Sequence, residues 1–139
     1  MRKQWDTEKK LYTLCILTED TPGILSQVAR LFSRKGYNIE SIVSGATDRP
    51  HTARISIELL ADELVVNQLA TQCRRLLGVQ AVKIFDEETC IRREIALIKV
   101  RAADHGTRDE IIQMTNIFRG HIIDVDKESL TVWVFGSQS

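Results

Sequence analysis

Thr18-Glu19-Asp20-Thr21-Pro22-Gly23-Ile24-Leu25 is the stretch whose reading decides the fold. Before it, Leu11 to Thr18 is a short, mostly apolar run containing Tyr, Thr and Ile, as a strand would be. After it, Ile24, Leu25, Val28, Leu31 and Phe32 recur at three- and four-residue spacing and form one apolar stripe of a helix. The quoted residues are therefore a strand-to-helix turn. Asp20 or Thr21 is expected to cap the helix, with Pro22 in its first turn, where a missing N–H costs little. Gly36 is expected to end it in a left-handed conformation.

Outward from that turn, a second strand is expected from about Asn38 to Thr47, closed by the turn residues Asp48-Arg49-Pro50-His51. The third strand alternates cleanly: Ala53, Ile55, Ile57 and Leu59 face one way and Arg54, Ser56 and Glu58 the other. Asp62 opens a second helix with Val65, Val66, Leu69, Cys73, Leu76 and Leu77 inward, Gly78 closes it, and Val79 to Phe85 is a fourth strand. The order strand, helix, strand, strand, helix, strand is a ferredoxin-like βαββαβ unit of the α+β class.

The pattern then restarts. Ile95 to Arg101 reads as a strand, and Thr107-Arg108-Asp109-Glu110 as a capping box before a helix with Ile111, Ile112, Thr115 and Phe118 on its face. Gly120 ends that helix, and His121 to Asp126 and Leu130 to Phe135 read as a strand pair. Phe32-Ser33-Arg34-Lys35-Gly36-Tyr37-Asn38-Ile39-Glu40 is echoed by Phe118-Arg119-Gly120-His121-Ile122-Ile123-Asp124. Two related modules are expected, residues 9–86 and 92–139. The second is an incomplete βαββ unit without the last helix and strand of the first.

Composition narrows the function. The chain has 139 residues, 43% hydrophobic and 27% charged, with 19 basic and 19 acidic side chains. Residues 1–86 carry 12 basic and 10 acidic side chains and the remainder 7 and 9, so neither half has the basic excess of a nucleic-acid binder. The third strand has no aromatic on which to stack a base, as RNA-recognition modules of this topology do. Cys15, Cys73 and Cys90 have no CxxC spacing, and His51, His105 and His121 have no metal-ligand spacing. No nucleophile, metal or dinucleotide motif appears, so no catalytic residue is assigned. There is no run long enough to span a bilayer, and Met1-Arg2-Lys3-Gln4-Trp5-Asp6 is polar rather than a secretory leader. A cytoplasmic protein with no membrane contact is expected, its thiols kept reduced.

The strand-to-helix turn has the chemistry of a small-molecule site. A helix start presents free N–H groups backed by the positive end of the helix dipole, and Gly23 has no side chain to block approach. A carboxylate can sit on the Gly23 and Ile24 amides while Asp20 faces an ammonium. Asn38 offers both a donor and an acceptor from the neighbouring strand. Together these suit a free α-amino acid. An ordinary helix cap fits the same residues.

Thr18-Glu19-Asp20-Thr21-Pro22-Gly23-Ile24-Leu25, followed by Leu31-Phe32-Ser33-Arg34-Lys35-Gly36-Tyr37-Asn38-Ile39-Glu40-Ser41-Ile42, closely resembles the acetolactate synthase small subunit, an ACT-domain family. Arg92-Arg93-Glu94-Ile95-Ala96-Leu97-Ile98-Lys99-Val100 and Ile117-Phe118-Arg119-Gly120-His121-Ile122-Ile123-Asp124-Val125 resemble its second domain. The resemblance implies a non-catalytic regulatory subunit. Its large catalytic subunit, a transferase, holds thiamine diphosphate, magnesium and FAD, with no cofactor in the small chain. It further implies a homodimer through ACT domains, and feedback inhibition by a branched-chain amino acid such as valine. The effector's carboxylate would meet the Gly23, Ile24 and Leu25 amides beside Asp20 and Pro22, with Asn38 and Ile39 contributed by the partner chain. The family often has Asn where this chain has Asp20. The alternative is a free-standing ACT-type sensor acting on a transcription factor or another enzyme.

Overall fold

The computed structural model describes residues 9–137, so the polar start Met1–Asp6 and the last two residues of the second module lie outside it. The chain divides into two compact units, residues 1–90 and 91–139.

In the first unit, β1 (Lys10–Glu19), α1 (Ile24–Lys35), β2 (Ser41–Ala46), β3 (Thr52–Ala61), α2 (Glu63–Arg74) and β4 (Val79–Phe85) follow in the expected order. The sheet runs β2-β3-β1-β4, antiparallel throughout. Alternation along β1 and β3 aims Leu14, Ile16, Ile55, Ile57 and Leu59 at the helices, where they meet Val28, Phe32, Val66, Leu69 and Cys73 in one buried core. The facing register Leu14↔Ile57 and Ile16↔Ile55 keeps both strands' apolar sets on the same side. Asp62 caps α2, accepting a hydrogen bond from the Val65 amide at 2.8 Å. Leu77, expected to face inward, is 89% exposed. The helix stops at Arg74, so Leu77 sits in the turn into β4 rather than on the helix stripe.

The second unit consists of β5 (Glu94–Arg101), α3 (His105–Ile117), β6 (His121–Val125) and β7 (Ser129–Gly136), with sheet order β5-β7-β6. This repeats β1-β3-β2 of the first unit. No counterpart of α2 or β4 occurs among the described residues. Three local expectations are corrected. Asp104, not Thr107, caps α3: its carboxylate accepts from the Thr107 amide at 2.8 Å and from the Thr107 hydroxyl at 2.6 Å. The left-handed residue after α3 is Arg119, at φ 55°, not Gly120. Gly120 is needed for a different reason. A Cβ there would lie 2.9 Å from the Trp133 carbonyl oxygen and 2.8 Å from Val134 Cγ1, so only glycine lets the chain pass β7 this closely. Finally, Thr115 is the one buried residue of α3, while Phe118 and Ile112 of its expected inner face are exposed.

Candidate functional site

The turn after β1 is held at two points. The Glu19 amide donates to the Gly78 carbonyl at 2.8 Å and the Asp20 amide to the His51 carbonyl at 2.9 Å. Thr18, fully buried, anchors the end of β1 with its hydroxyl towards the Ala53 carbonyl. The Ile24 amide then bends back to the Thr21 carbonyl, closing a turn with Pro22 and Gly23 at its centre. Pro22 therefore precedes the helix rather than entering its first turn. Gly23 is the N-cap residue at φ 87°, ψ −6°. That left-handed conformation is strained for any residue with a Cβ, which explains why Gly follows Pro here.

Neither Asp20 nor Thr21 caps α1. No side chain accepts a hydrogen bond from its start, and no acidic residue lies in its first turn. The contrast with α2 and α3 is direct: there Asp62 and Asp104 occupy the N-cap and satisfy first-turn amides. The three helices among the described residues thus have two carboxylate-filled starts and one open start. The open one is at the predicted site, with an adjacent φ-positive glycine whose Cβ position meets nothing within 4 Å. An anion fits there on backbone donors and the helix dipole.

Asp20, Pro22 and Gly23 are exposed and Leu25 is partly exposed, while Ile24 turns into the protein and supports the loop. These five predicted residues are brought together. Asn38 and Ile39 are not: they follow α1 instead of preceding it. Twelve residues of helix put roughly 18 Å between the two ends. One amino acid cannot touch both ends within a single chain. Nor does Asn38 begin a strand, as expected. β2 starts at Ser41, and the Asn38 side-chain amide donates to the Glu40 carboxylate at 3.0 Å. Asn38 and Ile39 lie in the segment between Gly36 and β2, Asn38 exposed and Ile39 half-buried against the first core.

Sequence reasoning missed His51 and Gly78 as the two anchors of the loop. His51 is exposed. Its backbone, however, adopts φ 56°, uncommon for a non-glycine residue, and this presents its carbonyl to Asp20. The Pro50-His51 pair in a hairpin turn was the available signal.

A mostly apolar concavity lies elsewhere. A cavity of about 700 Å³ in the second unit runs between β5, β7 and α3, lined mainly by Ile98, Ile111, Met114, Phe118 and Val132. Its lining is mostly apolar, with Glu94, Glu110 and Thr115 as its polar side chains. It lies over the sheet beside α3, where the first unit carries a second helix. Among the described residues no cluster of His, Cys, Asp or Glu could hold a metal ion, and no helix is long and apolar enough to cross a membrane.

A ferredoxin-like unit whose first helix starts open after a Pro-Gly turn defines an ACT domain. Residues 14–81 match the profile of the AHAS small subunit-like ACT domain, and residues 93–139 that of the small subunit of acetolactate synthase. The chain is 43% identical over 129 residues to the acetolactate synthase small subunit of Mycobacterium bovis, covering 93% of this chain and 76% of that one. It is 40% identical over 131 residues to a probable acetolactate synthase small subunit of Methanothermobacter thermautotrophicus, covering 94% and 78%. The crystal structure of the acetolactate synthase small subunit from Thermotoga maritima superposes with a TM-score of 0.84 at 35% identity, covering 93% of this chain and 80% of that one. The chain belongs to the acetolactate synthase small-subunit family.

Proposed function

We propose that this chain is the regulatory subunit of an acetolactate synthase, acting on a separate catalytic subunit and carrying the sensor for a branched-chain amino acid, valine first among the candidates. Residues 9–86 are the sensing domain and 92–139 the second domain of the subunit. One observation carries the reading: among the helices of the described residues the α1 start alone has no side-chain acceptor, and it opens on a glycine. The effector's carboxylate binds the Gly23 and Leu25 amides and takes the Ile24 amide from its long, 3.4 Å bond to the Thr21 carbonyl, and Asp20 pairs with its ammonium. A carboxylate at position 20 also repels the effector's own carboxylate, so the ammonium contact must dominate. The thiamine diphosphate, magnesium and FAD of the reaction belong to the catalytic subunit, and the assembly acts in the cytoplasm.

The site is completed by a second copy. β2 is an edge strand, exposed along its length, with Ile42 and Val43 among the exposed apolar residues. A two-fold axis between antiparallel β2 edges joins the two sheets and removes both edges. The same axis runs α1 antiparallel to its mate, bringing the partner's Asn38 and Ile39 towards the Gly23 turn. The roughly 18 Å between helix ends is thus a reason for the dimer rather than an obstacle to the site.

The deciding experiment is acetolactate formation by a purified large subunit titrated with this protein, with and without valine. Activation together with valine inhibition is expected. Gly23→Asp, which places charge and bulk where the effector carboxylate sits, should keep activation and lose valine sensitivity by about tenfold or more, the usual scale of allosteric coupling. Full valine sensitivity in that variant would dismiss the site. Copurification with a DNA-binding protein in place of the large subunit would instead establish the free-standing sensor.

A further inference from the structure

The two anchors of the Gly23 loop differ in what they show to solvent. The His51 carbonyl belongs to a turn of mostly polar residues, Asp48-Arg49-Pro50-His51, tied down by hydroxyls. Thr47 Oγ1 donates to the Thr52 carbonyl at 3.1 Å and Thr52 Oγ1 to the Pro50 carbonyl at 3.2 Å. The Gly78 carbonyl belongs to the turn from α2 into β4. There the chain leaves the helix through two bonds that each span three residues, from the Leu76 amide to the Cys73 carbonyl at 3.1 Å and from the Val79 amide to the Leu76 carbonyl at 3.2 Å. Leu76 packs on the core, and Gly78 is left-handed at φ 86°. Between them Leu77, 89% exposed, is the most exposed large apolar side chain among the described residues.

A lone leucine on a surface is ordinary. The place of this one is not. Its neighbour Gly78 accepts the Glu19 amide bond that holds the loop. A Cβ at Gly78 would lie 3.5 Å from Ile24 Cδ1 and 3.9 Å from Glu19 Cβ, so the turn packs directly on the α1 start. Beyond the turn, Val79 pairs with Thr18 and Ala81 with Leu17, which leaves Gln80 as an extra residue on β4. Such a bulge interrupts the ladder locally, so the turn can shift without sliding the rest of the strand. An effector that draws the Ile24 amide off the Thr21 carbonyl therefore moves a side chain that rests on the residue next to Leu77.

The sheet order says what can reach this turn. β4 is the edge opposite β2, so pairing of two copies through β2 leaves the α2–β4 turn uncovered. Arg74 and Arg75 at its start are exposed. A two-fold contact centred on the turn would set these cations against their own copies, which makes a second copy of this chain the wrong occupant. We propose, on the regulatory reading above, that Leu77 docks in an apolar pocket of the catalytic subunit, and that the α2–β4 turn is where the sensor meets the enzyme it controls.

Two readouts on the full-length chain test the contact. Acetolactate formation by a purified large subunit is titrated with the parent, Leu77→Asp and Leu77→Met, and valine binding to each small chain alone is followed by calorimetry. Leu77→Asp should raise the concentration for half-maximal activation about tenfold or more, because it carries a charge into an apolar pocket. Leu77→Met keeps the apolar bulk and should stay within about threefold of the parent. The side chain is exposed, so neither change disturbs the core, and valine affinity should stay within about twofold in both. If the parent activates and Leu77→Asp activates at the same concentration, the contact is overturned and the regulatory reading stands. A parent that binds valine and activates no large subunit would end both. Loss of valine binding in Leu77→Asp would put Leu77 in the effector site and overturn its docking role.

Discussion

The two units start from the same strand order and end with different amounts of buried surface. In the first, Phe32 at the end of α1 is fully buried; in the second, Phe118 at the end of α3 is 71% exposed. Phe32 lies in the last turn of α1 and Phe118 is the residue that ends α3. What differs is the neighbour. α2 and β4 close the first core over β1 and α1, and nothing among the described residues does so for β5 and α3. A helix stripe is a statement about potential burial. It becomes stabilisation only when a second layer arrives.

The largest effect expected from this contrast is in the paired phenylalanines. Phe32→Ala should destabilise by about 3–5 kcal/mol, because it removes a fully buried ring from a closed core. Phe118→Ala should change stability by less than about 0.5 kcal/mol and should reduce binding of a fluorescent apolar dye. Urea unfolding of the two variants makes the comparison. Equal costs would mean that the α3 face is covered in solution.

Glycine substitutions sharpen the contrast further. Gly120→Ala forces a methyl against the Trp133 carbonyl and Val134, and a cost of about 1–3 kcal/mol is expected, carried by β7. Gly23→Ala meets no atom and bears only the left-handed strain, about 1–2 kcal/mol. Thermal unfolding should rank the two in that order. A Gly23→Ala variant as stable as the parent would show that the turn relaxes out of the left-handed region, and with it the open helix start.

A smaller effect separates the thiols. Burial pushes the Cys73 thiol up to about 11, partly offset by the neighbouring Arg74 cation. Cys73 should stay unmodified by a thiol reagent at pH 8 while Cys15 and Cys90, both partly exposed, react. Equal reaction of all three would mean that the first core opens on the timescale of labelling.

The first unit was legible in sequence because its periodicities are long and unmixed. Ala53 to Leu59 alternates without exception, and Val66, Leu69 and Cys73 keep helical spacing to the end of α2. The α1 start was legible only in outline. Pro22 and Gly23 locate the turn, but which of them is the N-cap is settled by the φ of Gly23, in a loop held by the Glu19 and Asp20 amides reaching Gly78 and His51 respectively. Such long-range anchors leave no local pattern. The cap of α3 was misplaced for the opposite reason. Thr107 and Glu110 satisfy the capping-box rule locally, and Asp104 three residues earlier competes with a charge-assisted acceptor and wins. In the second unit the apolar stripe of α3 was legible as a stripe, but its exposure was not, since sequence periodicity does not say whether a partner layer exists.

The Asp104 cap gives the smallest expected effect and tests whether the second unit is stabilised locally. The Thr107 hydroxyl and amide hold the Asp104 carboxyl below its usual range. A carboxylate with a lowered folded-state pKa stabilises above its unfolded pKa, and loses that contribution as pH falls through the folded one. The cap of α3 should therefore weaken only in acid, below the ordinary aspartate range, and be indifferent to pH near neutrality. Asp104→Asn retains an acceptor for the Thr107 amide but removes the charge, so it should flatten this acid response. Hydrogen exchange at the Thr107 amide, followed against pH in parent and variant, reads the cap directly. α2, capped by Asp62 on the Val65 amide beneath a complete core, is the internal control. If both helix starts open together in acid, the second unit is coupled to a larger cooperative structure. If α3 opens first, its stability rests on its own cap and on the few apolar side chains it covers.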